Sequence, residues 1–466
     1  VVIASAPIPN IPGYSITLFC DSKRQGFHRT IVPLNPVNPS DYFALWNRHR
    51  PLRLIPNETL SLPGTVPMTP APLDMSERLD RLRLIRSENV GPISFRQLLI
   101  RFGSAAHALE AIPSLANKGG RKRRLRIASR AEAQSELDAL TRIGGQMVHW
   151  GQPDYPAALA ATEDAPPVLS VLGHLHLLTK PCIGIVGSRN ASTNGKRLAQ
   201  QFSKALGEAG YCVISGLASG IDAAAHFGSL SSGTIAAVAG GVDVIYPREN
   251  TDLYHQIVDQ GSIVAELPVG TAGQARHFPR RNRIISGMAS AVLVVEATQR
   301  SGSLITARLA ADQGREVFAI PGSPLDPRAR GANDLIRKGA ALIETPEEMI
   351  GILNNMPAPQ LDAPSNPEFL PGSGPLPKEE ELLRARALMD QALSPTSVAI
   401  DDLIADLNLA PALVAMVILE LELAGLAERH PGNRISRLAP EPSSTESNSE
   451  KPTKKPASLQ KQADLF

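Results

Sequence analysis

The run Cys182-Ile-Gly-Ile-Val-Gly-Ser188 (CIGIVGS) carries no charge and does not alternate apolar with polar residues. A strand with one face in water alternates, so a run of this kind suits a strand covered on both faces. It is the first of a series: YCVISGLA (211–218), TIAAVAGG (234–241), SIVAEL (262–267), AVLVVEA (291–297), EVFAIPG (316–322) and ALIE (341–344). Each is separated from the next by a stretch long enough for a helix. Parallel neighbours need such crossovers, because a tight turn joins only antiparallel strands. The pattern predicts an α/β fold with a Rossmann-like, doubly wound parallel sheet over 149–355.

On either side the composition changes. Residues 1–73 carry prolines at short intervals (PIPNIP, PLNPVNP, LPGTVPMTPAP) and no sustained period, which predicts poorly ordered backbone. From Ser76 the pattern turns helical, and 74–148 is expected to form a helical domain of the SAM or helix-hairpin-helix type, with a Val90-Gly-Pro92 turn. That turn either holds a phosphate on free amides or simply lets two helices pack. The basic run Arg121-Lys-Arg-Arg-Leu-Arg126 either touches nucleic acid or is a solvated face. A Pro-rich linker (356–377) leads to a winged-helix pattern (378–438), followed by a polar, low-complexity tail (439–466) expected to be disordered.

Lys+Arg 47 against Asp+Glu 45 leaves a net charge of +2 over 466 residues, so any anion site must be local. Cys20, Cys182 and Cys212 form no CxxC pair, which argues against a zinc site or a disulfide framework. No apolar stretch reaches the roughly 18 residues of a membrane span, and the Pro-broken start lacks a signal-peptide pattern. A cytoplasmic protein without membrane contact is the expectation.

In a doubly wound sheet, ligands sit at the carboxyl ends of the strands. The first such loop, Gly184-Ile-Val-Gly187-Ser188-Arg189-Asn190, is neither GxGxxG nor a Walker A loop. It offers free amides, the Ser188 hydroxyl and the Arg189 guanidinium, a set suited to a phosphate without a metal. The second, Ser215 to Asp222, enters a helix on which Asp222 and His226 share a face, either as an acid–base pair or as packing. A third, Ala239 to Pro247, brings backbone close to the crevice. In the fourth, Arg276, Phe278, Arg280, Arg281 and Arg283 precede the strand ending at Glu296. Such arginines grip phosphates and such an aromatic stacks a base, unless the arginines pair with acids such as Glu296 and Glu266. A fifth, Ser301 to Thr306, opens a helix whose dipole favours an anion.

In this order, GSR (187–189), SGLASGID (215–222), GGVDVIYP (240–247), FPRRNRIISG (278–287), SGSLITARLA (301–310), GREVFAIPG (314–322) and GANDLIRKGA (331–340) resemble the DNA-processing protein A family, also called Smf. The likeness runs from about Ser76 to Leu438. It implies a non-enzymatic protein, with no catalytic residue, cofactor or metal, that binds single-stranded DNA on the Rossmann-like domain. It further implies a homodimer that protects incoming strands and loads RecA recombinase in natural transformation. Arg189 of GSR, and Phe278 and Arg281 of FPxRN, then match the family's DNA contacts. Asn282, Ser188, Ser301 and Ser303 join them at the loop ends, and Arg276, Arg280 and Arg283 are added from charge and position. The alternative is a phosphoribohydrolase of the lysine-decarboxylase-like (LOG) group. Its PGGxGTxxE motif falls on SGSLITARL, with Leu309 where the glutamate would stand, so hydrolysis is not expected.

The winged-helix recognition region, Ala410 to Ala424, has no Arg or Lys and is apolar and acidic, which points to protein contact or self-association rather than duplex DNA. The last residues, Gln462-Ala-Asp-Leu465-Phe466, resemble the peptide by which bacterial replication proteins dock in the sliding clamp. A disordered tether ending in Leu465 and Phe466 offers an apolar anchor, with Gln462 at the pocket rim.

Overall fold

The computed structural model describes residues 73–121, 123–356, 378–430 and 432–438, together with the backbone of three segments, 2–7, 14–21 and 26–33. Those three, β1 (Val2–Pro7), β2 (Tyr14–Asp21) and β3 (Gly26–Pro33), form an antiparallel meander. The expectation of irregular backbone over 1–73 is corrected for them. Each is a run with β-branched or aromatic residues, and the prolines mostly fall between runs rather than inside them. The remainder of 1–72, the linker at 357–377, and the tail with Gln462, Leu465 and Phe466 lie outside the described residues.

The second unit begins with four helices: α1 (Met75–Arg86), α2 (Pro92–Phe102), α3 (Ala105–Lys118) and α4 (Arg130–Arg142). Their boundaries follow local chemistry. Asp74 and Ser104 cap α1 and α3, a Ser129/Glu132 capping box opens α4, and left-handed Gly103 ends α2. The basic run lies in the α3–α4 connection, where Arg121 is bound to Glu88 at 2.7 Å.

The central sheet is then built from β4 (Gln146–His149), α5 (Ala157–Ala160), β5 (Val168–Gly173), β6 (Cys182–Val186), α6 (Thr193–Glu208), β7 (Cys212–Ser215), α7 (Ile221–Ser229) and β8 (Thr234–Ala237). It continues through α8 (Thr251–Gln260), β9 (Ser262–Ala265), α9 (His277–Met288), β10 (Ala289–Val294), α10 (Ser303–Asp312), β11 (Glu316–Ala319), α11 (Arg330–Arg337), β12 (Ala341–Leu342) and α12 (Pro346–Asn355). The strand order is β12-β11-β10-β6-β7-β8-β9-β5-β4. From β12 to β9 all pairs are parallel, whereas β5 joins β9 and β4 joins β5 antiparallel.

Successive residues of each central strand serve opposite faces. Ile183 and Ile185 of β6, with Ala291 and Leu293 of β10, pack against Phe202, Leu206 and Met349. Cys182, Val186, Val292 and Val294 face Ile284, Ile285, Met288 and Leu304. Helices on both faces leave no face for water, which is why the runs do not alternate. The chain steps outward from β6 to β9, and α9 then carries it back to set β10 on the other flank of β6. The reversal of strand order therefore lies between β6 and β10.

Beyond the linker come α13 (Glu379–Ala392), β13 (Val398–Ala399), α14 (Ile400–Leu407), α15 (Pro411–Ala424), β14 (Ala427–His430) and β15 (Arg434–Arg437), a winged helix with sheet order β13-β15-β14. Its recognition-position helix α15 is inside the molecule. Val414, Val417, Ile418 and Leu423 share one core with Phe95, Leu98, Leu109 and Ile112 of α2 and α3. Glu420 binds Arg386 at 2.7 Å, and Glu422 meets Arg429 at 2.9 Å and the Ser94 hydroxyl at 3.1 Å. The apolar face of α15 is thus covered by the chain's own helical domain, while its glutamates are answered by Arg386 of α13 and Arg429 of β14, with Ser94 of α2. Contact is closest at Gly119, where a Cβ would run into the Glu420 carbonyl.

Gly119→Val is accordingly expected to separate α15 from α3 and lower stability by about 1–3 kcal/mol. Amide exchange over Pro411–Ala424 should quicken with it. Gly351→Val, on an open surface of α12, should do neither.

Candidate nucleic-acid interface

The segment from Arg276 to Arg283, expected as a loop, is the N-terminal cap and first half of α9. Helical geometry turns neighbouring arginines to different surroundings, about 100° apart per residue. Arg276 and Arg280, four apart, are exposed, while Arg281 and Arg283 are buried. The grouping expected from the sequence therefore divides in two.

Arg281, with 7% of its surface exposed, lies beneath the rim of the sheet. Its Nη1 donates to the Gly216 carbonyl at 2.6 Å and to the Ala237 carbonyl, the groups at the ends of β7 and β8. Asp222 accepts the amides of Gly216 at 3.2 Å and Ala218 at 3.4 Å. Burial lowers the Arg281 guanidinium to about 10 against the opposing charge of Asp222, so it remains a cation near neutral pH. Burial likewise raises the Asp222 carboxyl, against the pull of Arg281 and of the two amides. His226 does not complete an acid–base pair. It is fully buried, its Nδ1 lies 2.8 Å from Thr234 Oγ1, and burial lowers its pKa to about 3.

Above Arg281 lies a depression of about 50 Å³ lined by Arg189, Ser219, Gly240, Tyr246 and Phe278. Phe278 is half-buried and Tyr246 exposed, with ring centroids 5.6 Å apart. The Arg189 guanidinium carbon lies 5.4 Å from the Phe278 ring centroid, a cation–π arrangement. Ser188 is buried, and its carbonyl accepts the Ile221 amide at 3.2 Å, which fixes the turn that projects Arg189. Tyr246 was not singled out as a binding residue in the sequence, although GGVDVIYP placed it at a strand end.

The remaining candidates lie elsewhere. Arg283 holds both oxygens of Glu266 at 2.6 Å and the Asp164 carboxylate at 3.6 Å, so its charge is directed into the core, as the acid-pairing reading required. Asn282 Nδ2 is 3.5 Å from the Gly302 carbonyl, and the Ser301 and Ser303 hydroxyls are 2.6 Å apart at the start of α10. Glu296 pairs with none of the candidate arginines. Its carboxylate takes the Ser192 amide at 2.9 Å and hydroxyl at 2.5 Å. Ser192 caps α6, so this protein carboxylate occupies the helix start beside the β6–β10 reversal. That is where a doubly wound fold ordinarily seats a phosphate. Among the described residues no cluster of His, Cys, Asp or Glu is placed to hold a metal ion, and no helix is long and apolar enough to cross a membrane. Cys182 and Cys212 are buried free thiols.

The pattern of the family described as DNA recombination-mediator protein A matches residues 146–354. A DprA-like N-terminal HHH domain matches 75–139, and a DprA winged helix domain matches 373–433. Protein Smf of Escherichia coli is 38% identical over 314 residues, covering 66% of this chain and 81% of that protein. The chain belongs to the DNA recombination-mediator protein A family. Another relative, Protein Smf of Synechocystis, is 36% identical over 61% of this chain and 78% of its own length. The X-ray structure of DNA processing protein A (DprA) from Streptococcus pneumoniae superposes with a TM-score of 0.52 at 30% identity, covering 61% of this chain and 99% of that one.

Arg283→Ala leaves Glu266 half-buried without its partner and is expected to cost about 3–5 kcal/mol in urea unfolding. Arg189→Ala, at an exposed turn, should stay within about 0.5 kcal/mol of the parent. Equal losses would contradict this division of the arginines.

Proposed function

We propose that the chain binds single-stranded DNA along the carboxyl rim of its central sheet and does no covalent chemistry there. The observation that carries this reading is the Arg189 guanidinium set over Phe278 beside exposed Tyr246. An aromatic pair offers bases a sequence-tolerant stacking surface, and exposed arginines beside it track phosphates. Arg189, Arg276 and Arg280 supply the phosphate contacts, while Arg281 holds the platform from below. Ser188, Asn282, Ser301 and Ser303 shape the loop ends. Arg283 acts through the core.

The description of the family and the name of a Bacillus subtilis relative, DNA processing protein DprA, 45% identical over 198 residues, also point to DNA. Against a LOG-type hydrolase stand Leu309 at the glutamate position, Glu296 in the helix-start crevice, and the engagement of Asp222 and His226 by their own neighbours. The family resemblance extends the reading to a cytoplasmic homodimer that shields incoming strands and loads RecA recombinase.

Titration with fluorescent oligonucleotides tests the central claim. Single strands should bind more tightly than duplex, and three phosphate contacts imply that log K falls against log[salt] with a slope of about −2. Phe278→Ala should weaken binding about 5- to 150-fold, the usual range for one stacked base, and Arg189→Ala should flatten the salt slope. Parental affinity in both variants would refute the site. For the C-terminal tail, deletion of Gln462 to Phe466 is expected to abolish sliding-clamp capture in a pull-down; undiminished capture would dismiss that partner.

A further inference from the structure

A second cavity, of about 200 Å³, lies where the helical domain meets the central domain. Ile85, Val90 and Pro92, flanking the Val-Gly-Pro turn, form one wall, and Leu267 and Ile284 line the other side. Val238, Ala239 and Arg281 line this cavity and also the depression under Phe278, so the two spaces are neighbours across one ridge. Exposed Arg280 and buried His277 complete the lining on the α9 side.

The charges in this cavity are of two kinds. Arg86 is held by Glu136 at 2.8 Å and by the Glu266 carbonyl at 3.0 Å, and Glu266 is held by Arg283, so these groups are fixed walls. Arg281 differs. Its Nε is buried and has no hydrogen-bond partner, in a side chain more than nine-tenths buried between the two spaces. At the same wall α2 starts at Pro92, which has no amide hydrogen to offer, so this side of the cavity is apolar.

We infer that the helical domain is part of the binding site: one base of the bound strand enters this cavity while its phosphate meets Arg280. The inference rests on the proposed DNA reading and extends its footprint across two domains. Size supports it, since a cavity of about 150 Å³ accepts a benzene ring and this one is larger. Chemistry supports it as well: aliphatic walls suit the faces of a base, and the exposed Arg280 guanidinium at the lining suits the phosphate attached to it. A strand leaving the Phe278 platform over the Val238–Ala239 ridge arrives at this opening.

Photocrosslinking of the full chain with oligonucleotides carrying 4-thiothymidine, followed by peptide mapping, is the test. Crosslinks are expected within 85–92 of the helical domain as well as within 276–284. Pro92→Trp, which fills the cavity from a half-buried position, should remove the first set and weaken binding at least about fivefold. Arg280→Ala should weaken binding too, with a shallower salt slope. Crosslinks confined to the central domain, with parental affinity in Pro92→Trp, would overturn the inference and leave the Phe278 site standing. A wild-type chain that binds no single strand at all would sink both.

Discussion

A single guanidinium, that of Arg281, joins the ends of β7 and β8 beneath the candidate site. At the carboxyl rim of a parallel sheet the last carbonyls have no strand partner, and a buried unpaired carbonyl is costly. A cation from α9 satisfies two of them at once, and Asp222 balances its charge while gathering the amides of the neighbouring loop. Gly216 has no side chain because the guanidinium occupies that space. The turn carrying Arg189 and the helix carrying Phe278 are thereby set against one framework, and the stacking pair above it inherits that rigidity.

The same rim shows how a fold shared with nucleotide-handling proteins is directed elsewhere. The crevice at the reversal of strand order is the natural anion seat, and here the chain supplies the anion itself through Glu296. Gly195 leaves room for that carboxylate against α6. With the crevice filled, the accessible cations and rings lie to one side, over β7 and β8, on a surface shallow enough for a polymer to cross. The depression there is small, which fits stacking better than enclosure of a whole nucleotide.

The winged helix obeys a related constraint. An apolar helix such as α15 needs a partner, and the helical domain provides one, with Gly119 allowing close approach and Ser94 reaching Glu422, while Arg386 and Arg429 of the winged helix itself answer the two glutamates. A recognition-position helix in that setting has no face free for the major groove of a duplex. The two terminal domains therefore form one body beside the central sheet, and the second cavity opens along the border of that body.

The sheet was legible without coordinates, because burial on both faces removes polar residues from every strand, and the helix-length gaps between runs dictate parallel crossovers. The existence of a winged helix and of the helical domain was legible for the same reason: each follows from local pattern. The division among the arginines was not. Arg280, Arg281 and Arg283 are near neighbours with one chemistry, and only the helical turn of α9, with the carbonyls and carboxylates that other elements bring to it, makes one a surface group, one a strut and one an ion pair. Nor could sequence foretell that Glu296 would take a helix start or that α15 would lodge against α3. The sequence by itself determined the buried strands of the central sheet and the helix-length crossovers between them; tertiary structure alone decided which charges met each other and which were left for a ligand, because those pairings join residues on different elements, from 17 to 104 positions apart.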